Sequence, residues 1–155
     1  MNDLGDLIDR DAVRANLSAA SKKALFAALG SIAAEQIGGD AAAIHAGLSA
    51  REKLGSTGFG AGIAIPHARV EGIDRVAGIF ARLVKPLDFK AMDDLPVDLI
   101  FALVSPADAG AEHLRALALV SRRLRDRGLA AKLRGAGSRD AIYALLTGIE
   151  ARDAA

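Results

Sequence analysis

One segment of the chain crowds a cation, two hydroxyls, a run of glycine amides and an imidazole into a short stretch. It reads Arg51-Glu52-Lys53-Leu54-Gly55-Ser56-Thr57-Gly58, then Gly62-Ile63-Ala64-Ile65-Pro66-His67. Glycine amides and hydroxyls suit phosphate, because the backbone can approach closely and each N–H can point at an oxygen. No Gly-Lys-Ser/Thr closes the run, so it is not a P-loop. Its glycine spacing does not fit a dinucleotide fingerprint. Ser56 lacks the Gly-x-Ser-x-Gly elbow of a hydrolase nucleophile. Taken alone, the glycines read as a flexible connection and His67 as a hydrogen-bonded histidine at a strand end. The sharper reading makes His67 a nucleophile, since neutral imidazole attacks phosphorus or carbonyl carbon near pH 7. Pro66 fixes φ just where that imidazole is presented.

Two further histidines are present, and no cysteine. His113 falls near the start of a helix, where partial positive charge disfavours protonation. It reads equally as a surface residue or as a neutral donor to an oxygen. His45 sits mid-helix between Ile44 and Ala46 and reads as structural or exposed. The three lie in separate elements without short ligand spacing, so no metal and no other cofactor is expected. The lack of cysteine excludes disulfides, thiolate nucleophiles and iron–sulfur clusters.

The elements that must position these groups follow from periodicity. A short extended piece covers Val13 to Leu17. Ser21 is an N-cap for a helix to Ile37, with Leu25, Leu29 and Ile32 at helical spacing, ended by Gly38-Gly39. Asp40 caps a second helix that fades near Arg51. The glycine run is an extended loop leading to a short strand at Ile63 to Ile65. Stronger strands run from Val76 to Val84 and from Val97 to Val104, closed by Lys85-Pro86 and Ser105-Pro106. The second is nearly continuous apolar, as expected of a strand covered on both faces. Asp108 caps a long helix to about Arg127, with Leu114, Leu117, Val120 or Ser121, and Leu124 inward. Shorter helices cover Leu129 to Arg134 and, after Ser138, Arg139 to Leu146. This order predicts an α/β fold, a three-layer α/β/α sandwich with a small mixed β-sheet flanked by helices.

The 155 residues amount to one domain, 1–155. Hydrophobic residues make up 52%, but 34 positions are Ala, so the core rests on the 20 Leu with Ile, Val and Phe. The net charge of +1 gives no global reason to expect nucleic acid or an anionic membrane as partner. One charge run stands out, with eight basic residues and one acid from Arg115 to Arg139. Without interleaved aromatics it reads as the solvated face of amphipathic helices. No apolar run is long enough to span a bilayer, and no signal sequence opens the chain, so a cytoplasmic protein is expected.

Together these residues resemble a known family. The run from Arg51 to Gly58, with Gly62 to His67, is similar to the signature of enzyme IIA domains of the bacterial phosphoenolpyruvate-dependent phosphotransferase system. The likeness is to the fructose/mannitol type, most of all its nitrogen-related member. Pro96 to Leu103, with Pro106 and His113-Leu114, resembles the family's second block. The resemblance implies that His67 is the phosphoryl acceptor, loaded by a small HPr-like histidine phosphocarrier. The residues alone leave open which ring nitrogen reacts, because that depends on what holds the other; the resemblance gives the tele nitrogen. It further implies that His113 stabilises the phosphoryl group and that Arg51, Ser56 and Thr57 bind it. Two positions depart from the pattern: Ala61, where Asn is frequent, and Ala68, where Gly is frequent.

A stand-alone chain without a cysteine-bearing IIB domain or a membrane segment favours the nitrogen-related, regulatory branch. The implied targets are proteins such as kinases or potassium transport systems. Phosphorylation would add about 1.5–2 negative charges at one spot and so switch partner binding. The alternatives are a sugar-specific enzyme IIA that passes phosphate to a separate IIB domain, and an interaction module that has lost transfer.

Overall fold

The computed structural model describes residues 3–148. Two single 3-10 turns, Leu4–Asp6 and Arg10–Ala12, lead into strand β1, Val13–Leu17. Helix α1, Lys22–Ile37, starts where Ser21 accepts from the Ala24 amide and ends at Gly38, whose φ of 79° lies where L side chains are disfavoured. Helix α2, Ala41–Lys53, is capped by the Asp40 carboxylate on the Ala42 amide and runs two residues past Arg51.

The glycine segment is more structured than a loop. It holds strand β2, Gly58–Gly60, and strand β3, Ile63–Ala64, which pair antiparallel. Strand β4, His67–Val70, follows, then β5, Ala77–Leu87, and β6, Val97–Pro106. Pro86 and Pro106 lie inside these last two strands rather than closing them. The β5–β6 register shifts between Arg82 and Leu87, the kind of irregularity where a strand tolerates a missing N–H.

The sheet is mixed. Its strand order is β1-β5-β6-β3-β2, with β4 also on β6. β5 and β6 are antiparallel, whereas β1 on β5, and β3 and β4 on β6, are parallel. β3 and β4 keep one register against β6: Ala64 pairs with Ile100 and His67 with Leu103. They are in effect one edge strand interrupted at Ile65-Pro66. From Val97 to Ser105, β6 is buried at every position except Asp98, so both its faces are covered.

Helices α3, Gly110–Leu124, α4, Arg127–Gly135, and α5, Arg139–Thr147, complete the expected sandwich. Asp126 and Ser138 cap α4 and α5 through their side chains. Two expectations for α3 are corrected. Its N-cap is Ala109, with no side-chain cap bond, so Asp108 does not cap it. Its inner face is His113, Ala116, Leu119, Val120 and Leu124, while Leu114 is 65% exposed. The helix is rotated so that the polar His113 takes a buried position, which an apolar pattern alone could not predict.

Candidate active site

His67 opens β4 directly after the interruption in the edge strand. The break frees the Ile65 carbonyl from the ladder, and His67 Nδ1 lies 2.8 Å from it. A carbonyl can only accept, so Nδ1 carries the proton and Nε2 keeps its lone pair. Arg51 donates from Nε to that Nε2 at 3.2 Å and from Nη1 to the Gly55 carbonyl at 2.8 Å. Burial lowers the pKa of His67 below 6.5 and Arg51 adds to that, while the Ile65 carbonyl and Glu52 oppose it. The ring is therefore neutral near pH 7.

Gly47 lets α2 close on β4. A Cβ at Gly47 would stand 3.1 Å from the Ala68 Cβ and 3.3 Å from Val70 Cγ2, so α2 packs tightly on β4. Arg51 is one helical turn further on and lies near the same face. Alternation along β4 puts His67 and Arg69 on the side opposite Ala68 and Val70.

His113 approaches from α3. Its ring centroid is 5.6 Å from that of His67, with the planes at 46°. Its Nδ1 is 2.7 Å from the Ser105 hydroxyl, and both residues are buried. Burial, with His67 and Arg69 adding positive charge nearby, lowers its pKa to about 4. Two adjoining depressions of about 550 and 320 Å³ share His67, Arg69 and His113. Arg51 lines the larger of them.

Of the five residues singled out in the sequence, the fold brings together three: Arg51, His67 and His113. Ser56 and Thr57 do not line these depressions, and their hydroxyls are bonded within the loop and its neighbours. Ser56 Oγ donates to the Phe89 carbonyl and accepts from the Gly58 amide. Thr57 Oγ1 donates to Glu52 at 2.6 Å, and the Thr57 amide donates to the same carboxylate. Lys22 closes this network from α1, with Nζ 2.9 Å from both Glu52 Oε1 and the Phe89 carbonyl. The two hydroxyls build the loop rather than line the depression. Arg69 and Ser105 were not anticipated. Arg69 follows His67 by two residues on one strand, a spacing that shares a face once 67–70 is read as extended.

A separate depression of about 1030 Å³ lies around Phe59, Met92 and Arg134 and contains no imidazole. Part of the basic run is structural there: Arg134 pairs with Asp98 and bonds the Ala61 carbonyl, and Arg123 reaches the carbonyls of Leu145 and Leu146. His45 is half-buried at a separate depression between α1 and α2. Among the described residues no group of three or more His, Asp or Glu is placed to hold a metal ion. No helix among them is long and apolar enough to cross a membrane.

Comparison with known proteins places the chain among phosphotransferase-system proteins. A family model described as the phosphoenolpyruvate-dependent sugar phosphotransferase system, EIIA 2, matches residues 6–148. A nitrogen regulatory protein of Bradyrhizobium diazoefficiens is 45% identical over 141 residues, 91% of this chain and 92% of that one. One from Escherichia coli K12 is 38% identical over 148 residues, covering 95% and 91%. The crystal structure of nitrogen regulatory protein IIA-Ntr from Neisseria meningitidis superposes with a TM-score of 0.86 at 35% identity, over 92% of this chain and 98% of that one. The mannitol IIA of Escherichia coli, with a TM-score of 0.75 at 19% identity over 90% and 98% of the two chains, shares the fold.

Proposed function

Since the chain belongs to the EIIA 2 family of the phosphoenolpyruvate-dependent sugar phosphotransferase system, we propose that it is a phosphocarrier of the nitrogen-related branch and is loaded on His67. The donor is an HPr-like histidine phosphocarrier. The acceptor atom is Nε2, and the single observation that carries this choice is the Ile65 carbonyl on Nδ1. The nitrogen left with a lone pair is the one that faces Arg51.

In this reading the Nε2 lone pair attacks phosphorus in line. A new N–P bond forms, and the donor's N–P bond breaks with its electron pair returning to the donor imidazole. The proton of His67 stays on Nδ1, donated to the Ile65 carbonyl, throughout. Such a transfer needs positioning and neutralisation of the phosphoryl charge more than covalent help. Arg51 supplies a charge that does not titrate, in a planar fork suited to phosphoryl oxygens. Arg69 and His113 border the same space. Ser56 and Thr57 act at one remove by shaping the loop whose Gly55 carbonyl steadies Arg51.

The regulatory output follows from the relatives' printed names, nitrogen regulatory protein. Loading His67 adds charge at one half-exposed spot and alters which target proteins, of the kinase or potassium-transport kind, bind there. The site of action is the cytoplasm, where the phosphoryl donor is made. The test is intact mass after incubation with phosphoenolpyruvate, the system's first enzyme and the HPr-like carrier. Wild type should gain one acid-labile phosphoryl mass and His67→Ala none. No gain in wild type with a proven donor would overturn the reading. Identical partner sets in pull-downs with phosphorylated protein and His67→Ala would overturn the switch. Acceptance of the phosphoryl group by a sugar-specific IIB domain would favour the sugar-uptake alternative instead.

A further inference from the structure

The pairing of Ser105 with His113 carries a consequence for proton placement. The Ser105 side chain is wholly buried in β6, and its hydroxyl has one partner among the described residues, Nδ1 of His113. A hydroxyl brings one donor and two acceptor sites. If it merely accepted from Nδ1–H, its own proton would be buried with no acceptor, at the cost of an unsatisfied donor. It therefore donates, Nδ1 accepts, and the one proton of the neutral ring sits on Nε2. That nitrogen has no protein partner among the described residues, and the ring borders both depressions shared with His67.

We propose that Ser105 is a positioning residue that locks His113 in the Nε2–H tautomer, making it a neutral hydrogen-bond donor to a phosphoryl oxygen on His67. The other tautomer would set a lone pair against a dianion. The groups that face the His113 ring are Ser105 from β6 and His67 and Arg69 from β4. Both of the latter supply positive or neutral charge, so among the described residues no carboxylate competes for the Nε2 proton. The donor role rests on the phosphocarrier reading; the tautomer does not.

The experiment separates the two. Two-bond proton–nitrogen NMR correlations on unphosphorylated protein at neutral pH report which nitrogen of His113 is protonated. Wild type should show Nε2–H, Ser105→Thr should keep it, and Ser105→Ala should shift toward Nδ1–H, with thermal melting used to verify that each variant is folded. Phosphoryl transfer to His67 should slow about 10- to 100-fold in Ser105→Ala, the range seen when the outer partner of a functional imidazole is lost, and recover in Ser105→Thr. Wild-type His113 protonated on Nδ1, or a tautomer unmoved in folded Ser105→Ala, overturns the proposal. A moved tautomer with an unchanged transfer rate overturns the donor role. Failure of wild-type His67 to take up phosphate at all overturns the donor role together with the phosphocarrier reading, while the NMR result still decides the tautomer.

Discussion

Arg51 is held at both ends of its guanidinium, donating from Nε to His67 Nε2 at 3.2 Å and from Nη1 to the Gly55 carbonyl at 2.8 Å. The cation thus rests on the nitrogen proposed to be phosphorylated. Loading His67 must transfer that N–H from nitrogen to a phosphoryl oxygen, a short shift that leaves the Gly55 anchor in place. Removing a preorganised donor of this kind costs about 10²–10³ in rate. Arg51→Ala is expected to slow loading of His67 by that order. Arg51→Lys should recover part of it, because a point charge remains but the fork is gone. Single-turnover transfer from the phosphorylated carrier measures both.

The protonation of His67 gives a prediction with a definite sign. Burial, and then Arg51, lower its pKa below 6.5. Acceptor competence needs the neutral ring, so it should persist into mildly acidic solution and fall only below the ordinary histidine range. An NMR titration of the His67 ring should show a midpoint under 6.5. In Arg51→Ala the midpoint should rise, since one of the lowering influences is gone. A midpoint that does not rise would mean that burial, and not Arg51, accounts for the lowering.

His113 ties stability to pH. Its folded pKa is lowered to about 4, by burial first and then by His67 and Arg69. The unfolded chain, with an ordinary histidine near 6.5, binds the proton more readily. The contribution is therefore fully present above about 6.5 and is lost as pH falls toward 4. Glu52 acts in the same direction further into acid. Burial raises its pKa, but hydrogen bonds from Thr57 and Lys22 outweigh that and leave it below 4.5. Thermal melts between pH 7 and 5 should show a loss of stability in wild type that is shallower in His113→Gln, where the lowered pKa of His67 still contributes.

Much of this site is legible in the sequence, and what was not has physical causes. Ser21, Asp40 and Ser138 act through contacts two or three residues away, so their caps could be read directly. Arg51, His67 and His113 were marked by type, by Pro66 and by the family resemblance. The hydroxyls of Ser56 and Thr57 answer to Phe89 and to a carboxylate that is itself buried, and a glycine-rich run does not reveal such partners. Arg69 was hidden because a four-residue strand after a proline leaves little periodic signal. Ser105 depends on how α3 is rotated about its axis, and that rotation is set by burial of His113 rather than by an apolar stripe.

Ala61 is a local departure that the fold makes measurable. Its φ of 57° lies in the left-handed region, where a non-glycine residue is disfavoured. The backbone is pinned there: its N–H donates to Asp93 and its carbonyl accepts from Arg134. The side chain is exposed, so a substitution disturbs no packing. Asn and Gly tolerate this conformation, and Ala61→Asn is expected to stabilise by about 0.5–1 kcal/mol, part of the roughly 1–2 kcal/mol that left-handed backbone costs an L residue. For a chain of this size that corresponds to a rise in Tm of about 1–4 °C. A fall in Tm would show that the conformation is not strained for Ala.

Glu52 offers the sharpest test of whether the loop is part of the site or only a connection. Its side chain is 6% exposed and receives Lys22, the Thr57 amide and the Thr57 hydroxyl. The Gly55 carbonyl that anchors Arg51 lies between Glu52 and Thr57 in the chain. Glu52→Gln keeps the shape but removes the charge opposite Lys22 and one acceptor, at a cost of about 1–3 kcal/mol. If the network sets the loop, transfer to His67 should also slow in the folded variant, because Arg51 loses its fixed anchor. The loss should be smaller than in Arg51→Ala and should shrink in the double variant Glu52→Gln/Arg51→Ala, where no guanidinium is left to misplace. Fully additive rate losses would mean that Glu52 acts on transfer independently of Arg51, and no loss in the folded single variant would mean that it acts on stability alone.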